Sequence, residues 1–292
     1  MQDLNDFFSE VSTLVTAEMD WLIPASGPAP SSLREAMRWS LFGGGKHFRP
    51  ALVFAVGRTF GAADDRLVRT AAAIEMLHTY SLIHDDLPSM DDDELRRGRD
   101  TCHVKFGEST AILAGDALQA LSFQAIAEDE RLSSETRLEL MTGLARAASK
   151  MVIGQQLDLE AEGRTLGLDQ VENIHANKTG ALIAFSAAAG GLIAEVPERV
   201  RSEIVEFGKT IGLMFQVTDD VLDVTQPTEQ LGKTAGKDAA KEKSTYPSLL
   251  GIEATMDVIR RLRRTASESV DRLANRRSVL HMIVDYLADR QN

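Results

Sequence analysis

The chain has 292 residues, 43% of them hydrophobic and 26% charged, enough to bury a core at the upper end of what one domain holds. Its formal net charge of -12 argues against a nucleic-acid partner, which demands a basic face, yet permits phosphate ligands bridged through divalent cations. The lone cysteine, Cys102, excludes a disulfide framework within the chain and suits a reducing, cytoplasmic setting.

Met1 to Phe8 carries acids where a secretory leader would begin with basic residues. Leu4, Phe7, Phe8, Val11, Leu14, Val15 and Met19 then follow helical spacing and predict an amphipathic first helix. The stretch from Pro24 to Ser32 breaks it, and Ser32 is placed to cap a helix over Leu33 to Phe42 that ends at Gly43-Gly44-Gly45. Pro50 suits the first turn of another helix. A long helix crowded with Ala, Leu, Ile and Met is expected from Arg66 to Leu87, stopped by Pro88. Further helices are expected near 109–128, 135–160, 169–194, 198–224, 244–270 and 277–290. Strand-type alternation is nowhere sustained. The Lys- and Gly-rich stretch near 225–243 has no apolar period and reads as a mobile loop. The longest uncharged run, Gly180 to Ala194, is too short to span a bilayer, so stable membrane insertion is not expected. With no dividing linker or repeat, residues 1–292 read as a single all-α domain.

Two acidic clusters carry the chemistry. One is Asp85-Asp86-Leu87-Pro88-Ser89-Met90-Asp91-Asp92-Asp93, at the end of the long helix. The other is Asp219-Asp220-Val221-Leu222-Asp223, inside an otherwise apolar helix. A bare acidic run is most often a solvated helix end, and the first cluster alone would be read so. The second resists that reading, because Asp219 and Asp223 share one helical face among residues that favour burial. A bound cation removes the conflict, and hard oxygen ligands suit Mg²⁺ better than Zn²⁺. Lys46 and Arg49 in the Gly43–Pro50 turn, Arg96 and Arg97 after the first cluster, Lys178 before the apolar helix, and Lys233, Lys237, Lys241 and Lys243 supply cations suited to diphosphates. Rival motifs fail: Gly232-Lys233-Thr234 has no upstream strand or P-loop glycine, and no nucleophile elbow, zinc motif or dinucleotide fingerprint occurs. His84, His175 and His281 read as satisfied structural residues.

Taken together, these motifs resemble the trans-isoprenyl diphosphate synthases over nearly the whole chain. The resemblance is carried by GGKHFRP, HTYSLIHDDLPSMDDDELRRG, HVKFGESTAILAGD, GQQLDLEAEG, HANKTGALI, FQVTDDVLDV and LGKTAGKD, in the family's order. It implies an isoprenoid synthase-type helical bundle around a central active-site cavity, usually a homodimer, using Mg²⁺, three ions per site with substrate bound. The reaction implied joins isopentenyl diphosphate to an allylic diphosphate. Asp85, Asp86 and Asp91 would ligate metal from one side, and Asp219 from the other, with Asp220 and Asp223 as direct or water-mediated partners. Arg96, Lys178 and Lys233 match positions that hold the allylic diphosphate, and Lys46, Arg49, His78 and Arg97 those that hold isopentenyl diphosphate. Gln155, Thr179 and Gln216 match polar positions lining the pocket. Position 47 is His where many relatives have Arg, with little effect expected.

Four residues separate the aspartate pair from Asp91, as in the bacterial farnesyl type. In this family a bulky residue on the preceding helix stops chain growth, and Tyr80 lies five residues before Asp85, roughly 7–8 Å along the axis. Both features favour a C15 product, with simple core packing as the other reading of Tyr80. Geranyl or geranylgeranyl diphosphate synthesis, a terpene cyclase and a non-catalytic partner subunit are the alternatives. Cyclases commonly carry an Asn/Ser/Glu metal triad in the second motif, and a non-catalytic relative would show a broken one.

Overall fold

The structure, a computed structural model, describes residues 3–225, 243–274 and 278–290. It comprises two compact units, Met1–Leu144 and Ala145–Asn292.

In the first unit, α1 (Leu4–Leu22) starts at Asp3, whose side chain accepts from the Asn5 amide, and buries Phe7, Val11, Val15 and Met19 as one apolar stripe. The helices α2 (Ser31–Leu41), α3 (Phe48–Thr59) and α4 (Asp64–Asp85) follow. The expected cap at Ser32 is not used; α2 begins two residues earlier, after Pro30, whose fixed φ suits a helix start. α4 is buried on every face from Thr70 to Leu77, because it packs against α1, α2, α3 and α6 (Glu108–Ala127) at once. A helix with no solvent side shows little amphipathic period, which is why composition rather than spacing revealed it.

The first unit also holds the only strands among the described residues. Strands β1 (Leu95–Arg96) and β2 (Arg99–Asp100) pair antiparallel around Arg97-Gly98, both at positive φ (54° and 72°). That is the two-residue hairpin turn whose twist matches paired strands. Two-residue strands are too short to show alternation, so the sequence did not predict them. α5 (Cys102–Phe106) leads into α6, which is long and apolar enough to cross a membrane by length and composition alone. Within the unit α6 packs against α2, α4 and α5.

α7 (Ser134–Ala161) begins in the first unit and continues into the second. There it is followed by α8 (Leu168–His175), a wide π turn at Ala176–Gly180, α9 (Ala181–Ile193), α10 (Glu198–Thr225), α11 (Tyr246–Leu250), α12 (Ile252–Leu273) and α13 (Val279–Asp289). α10 is the spine of this unit, packed against α9, the π turn, α12 and α13. Two expected helices are subdivided. The helix near 169–194 runs on but widens at the π turn, and that near 244–270 breaks at Gly251, whose φ of 82° only glycine adopts without strain.

Candidate active site

The first acidic cluster is built by the end of α4. Past Asp85 the chain doubles back. The Asp91 amide donates to the Asp85 carbonyl at 2.9 Å and the Asp93 amide to that of Asp86 at 3.2 Å, with Asp92 in the left-handed region. The four residues between the aspartate pair and Asp91 thus form a loop that returns Asp91 to the helix end. Asp86 is 3% exposed and receives Arg96 as a fork, Nε at 2.8 and 2.9 Å from its two oxygens and Nη2 at 2.6 Å. The tight hairpin carries Arg96 back to this position. Burial works against the charge on Arg96, but Asp86 outweighs it and raises the guanidinium pKa.

Tyr80, one turn and a residue earlier, is 5% exposed. Its hydroxyl bonds Gln119 of α6 and its ring meets His84 edge-on at 5.6 Å. His84 itself lies 3.0 Å from the Ile112 carbonyl, a structural contact as expected. A pocket between α2, α4 and the hairpin is lined by Thr79, Ile83, Asp86, Arg96, Arg97 and Cys102. Burial pushes the Cys102 thiol up to about 11, so it is no nucleophile at neutral pH.

A second cluster in this unit joins the glycine turn to α4. His47 is left-handed (φ 44°), and at Gly45 (φ 134°) a Cβ would meet the Arg97 guanidinium at 2.6 Å, so that close approach requires glycine. Glu75, 5% exposed, lies 3.9 Å from His47 and is the local counter-charge for Arg49 and Arg97. Burial lowers the Arg49 pKa to about 10, Glu75 opposing and Arg97 reinforcing. His78 is driven well below the usual imidazole value, by burial first and then by Arg49, Arg97, Arg96 and His47, so it is neutral at physiological pH. Nε of Arg49 and Nδ1 of His47 are buried with no protein partner, which leaves two buried polar atoms unsatisfied by the protein itself. Arg49, His78 and Arg97 are therefore brought together, with Lys46 exposed on the same turn. Glu75, which organises them, gave no sequence signal beyond being an acid in an apolar helix.

In the second unit, α10 presents Asp219, Asp220 and Asp223, the last two buried. Asp220 is already engaged. Its Oδ2 accepts the Tyr246 amide at 3.0 Å and lies 3.2 Å from His175 Nε2, while His175 stacks on the Tyr246 ring and Tyr246 donates its hydroxyl to Glu172 at 2.7 Å. His175 is satisfied, as expected, but by a carboxylate of the motif. Asp219 pairs with Arg290, whose guanidinium lies 4.5 Å over the Phe215 ring, and Gln216 reaches Asp219 at 3.5 Å.

Lys178 stands in the π turn, with Thr179 half-buried beside it. Its Nζ lies 2.8 Å from Asp158 Oδ2, and Lys243 reaches the same oxygen at 2.8 Å. Burial would raise the Asp158 carboxyl, but the two ammonium groups outweigh it and hold the pKa at about 2. Asp158 was missed from sequence, although GQQLDLEAEG contains it; its partners lie 20 and 85 residues away. One turn earlier, both amide atoms of Gln155 are buried without a protein partner. Lys233, Lys237 and Lys241, with most of the Lys- and Gly-rich stretch expected as a loop near 225–243, lie outside the described residues.

Among the described residues no three His, Cys, Asp or Glu side chains converge to hold a metal ion unaided. The donor chemistry still fits Mg²⁺, which keeps several waters and is shared between one or two carboxylates and substrate phosphates. Within an all-α frame, the first unit offers acids with a bidentate arginine on Asp86 and the second offers acids with two lysines on Asp158, a donor chemistry that suits diphosphates and divalent cations.

A Polyprenyl synthetase family model matches residues 30–281. The farnesyl diphosphate synthase of Escherichia coli is 46% identical over 264 residues, 88% of each chain. Plant geranylgeranyl pyrophosphate synthases are also among the relatives. Of solved structures, an FPP/GFPP synthase from Zymomonas mobilis superposes with TM-score 0.88 at 34% identity, over 98% of both chains. A geranyltransferase from Helicobacter pylori, complexed with magnesium and isoprenyl diphosphate, does so with TM-score 0.83 at 33% identity, over 96% of both. The chain belongs to the polyprenyl synthetase family and is a prenyltransferase.

Proposed function

We propose that this enzyme catalyses the Mg²⁺-dependent head-to-tail (1'-4) condensation of isopentenyl diphosphate with dimethylallyl and geranyl diphosphates, releasing diphosphate and ending at farnesyl diphosphate. The observation that carries the reading is the first cluster, where the folded loop returns Asp91 to Asp85 while Arg96 grips Asp86. The whole chain is assigned to one catalytic domain, because the family match spans both compact units.

In this reading Asp85, Asp86 and Asp91, and Asp219 with Asp223, are the metal ligands, and Asp220 contributes through the oxygen that Tyr246 and His175 leave. Mg²⁺ held there supplies charge that stabilises the departing diphosphate. Arg96, Lys178 and Lys233 bind the allylic diphosphate, orienting its C–O bond for ionisation. Lys46, Arg49 and Arg97 hold isopentenyl diphosphate, and neutral His78 contributes a hydrogen bond rather than a charge. Gln155, Thr179 and Gln216 line the pocket, where buried apolar walls exclude the water that would quench the carbocation. Tyr80, locked by Gln119 and His84, is the floor that ends growth at C15. The enzyme works as a cytoplasmic homodimer; exposed Val104, Ile112 and Leu113 on α5 and α6 provide an apolar face for the second copy.

The test is product length with isopentenyl diphosphate and C5, C10 or C15 allylic starters. A C15 product with no extension of farnesyl diphosphate is expected, and Tyr80→Ala should shift it to C20 or longer. An unchanged product in that variant would reduce Tyr80 to core packing, and no condensation with any starter would overturn the reading.

A further inference from the structure

The last described residue of the chain, Arg290, is an odd place for a buried cation. It follows the end of α13, its side chain is only 12% exposed, and its Nε has no protein partner. Yet its Nη2 pairs with Asp219 Oδ1, and the guanidinium plane is supported by Phe215, one turn before Asp219 on α10. Around it, two other arginines of the C-terminal helices are occupied with surface acids and a third with a serine: Arg263 reaches Asp285 at 2.6 Å and Asp289 at 3.2 Å, Arg260 pairs with Asp257, and Arg272 bonds Ser269. Asp219 is thus the only carboxylate of the second cluster that pairs with an arginine among the described residues, while Asp220 is held by Tyr246 and His175.

We infer that Arg290 is a resident cation for Asp219, occupying the carboxylate until metal displaces it, so that the end of α13 sets metal affinity at the second aspartate cluster. The inference rests on the proposed role of Asp219 as a metal ligand and deepens it. The guanidinium is the more buried partner and Asp219 is a third exposed, so the pair chiefly relieves a buried cation, which is braced on an aromatic ring and does not close the site permanently. A divalent ion on Asp219 and the guanidinium compete for the same oxygens, since two cations on one carboxylate repel. Each therefore weakens the other's hold by the same factor. Asp223, one turn further along and buried, meets no arginine among the described residues and is left for the incoming ion.

Calorimetric titration of the intact protein with Mn²⁺ in the presence of inorganic pyrophosphate reads this without turnover. Arg290→Gln should bind metal roughly threefold to tenfold more tightly than wild type, the range expected on removing a competing ion pair of this exposure. Arg263→Gln removes an equal charge from the neighbouring helix without touching Asp219, and its metal affinity should match wild type. Unchanged or weaker binding in Arg290→Gln overturns the inference, as does an equal gain in Arg263→Gln, which would mark a general charge effect. Asp219→Ala separates the two layers. If it binds metal as wild type does, the ligand role of Asp219 falls and the inference with it. If it weakens binding while Arg290→Gln changes nothing, the ligand role stands and only the inference fails. Should Arg290→Gln not fold, Arg290→Lys serves, with a smaller gain in affinity expected from the shorter, weaker pair and none at all counting against the idea.

Discussion

Asp158 accepts two lysines on one oxygen, each 2.8 Å away, and its carboxyl is held down to about 2. A carboxyl whose folded pKa lies below its unfolded value stabilises the fold above the unfolded pKa, and that contribution disappears as pH falls through the folded one. The contribution should therefore be complete above roughly pH 5 and fade between about pH 4 and pH 2, with a full size near 2 kcal/mol. Asp158→Asn should be less stable than wild type by about that amount at pH 7, and the gap should close on acidification. Urea denaturation of both proteins at pH 7, 5, 4 and 3 measures it. A gap independent of pH would mean that the pair contributes through shape rather than charge. The residue also shows what a sequence hides. Asp85 and Asp219 declare themselves by clustering, whereas Asp158 is a single acid in a helix whose meaning comes from Lys178 and Lys243, brought to it only by the fold. Glu75 and Arg290 were illegible for the same reason, each defined by partners far along the chain.

Among the elements, helices of ordinary length were readable from apolar spacing, and their ends fell close to the expected ones; α6 and α10 differ by a residue or so at each end. What escaped was local geometry that binary patterning does not encode: the hairpin that aims Arg96, and the π turn that presents Lys178. The π turn has a packing cause. At Gly154 of α7 a Cβ would stand 2.1 Å from the Lys178 amide nitrogen, so the two backbones touch there. Only glycine permits that approach, and the backbone cannot yield as a flexible side chain would. Gly154→Ala should lower stability by about 1–3 kcal/mol, the usual range for overpacking, and displace Lys178 from Asp158. Thermal denaturation checks the first effect. A raised KM for the allylic substrate, with the KM for isopentenyl diphosphate little changed, checks the second, because the Lys46–Arg49–Arg97 cluster belongs to the other unit. Wild-type stability would show that α7 and the turn separate without strain, leaving the wide turn unexplained.

For the whole molecule, the acidic clusters in this structure are balanced by the protein's own groups: Arg96 on Asp86, Arg290 on Asp219, and Tyr246 with His175 on Asp220. A chain arranged in this way should fold without metal, and metal with phosphate should then add stability by binding the folded state alone. The two ligands should act together, since no three donor side chains converge without phosphate among the described residues. Mg²⁺ alone, or pyrophosphate alone, should leave the unfolding midpoint nearly unchanged. Both together at about 100 times the dissociation constant should add about 2.7 kcal/mol, which for a chain of this size is a shift of several degrees. Asp85→Ala and Asp219→Ala should each lose most of that shift while keeping midpoints near wild type in metal-free buffer, because Arg96 keeps its fork on Asp86 in the first and Arg290 is released from its pair in the second. Scanning calorimetry of the three proteins, with each ligand and with both, decides the matter. A shift with Mg²⁺ alone as large as that with both would mean a metal site complete in protein ligands. No shift with both would mean that these aspartates do not hold metal, and the catalytic reading would lose its foundation.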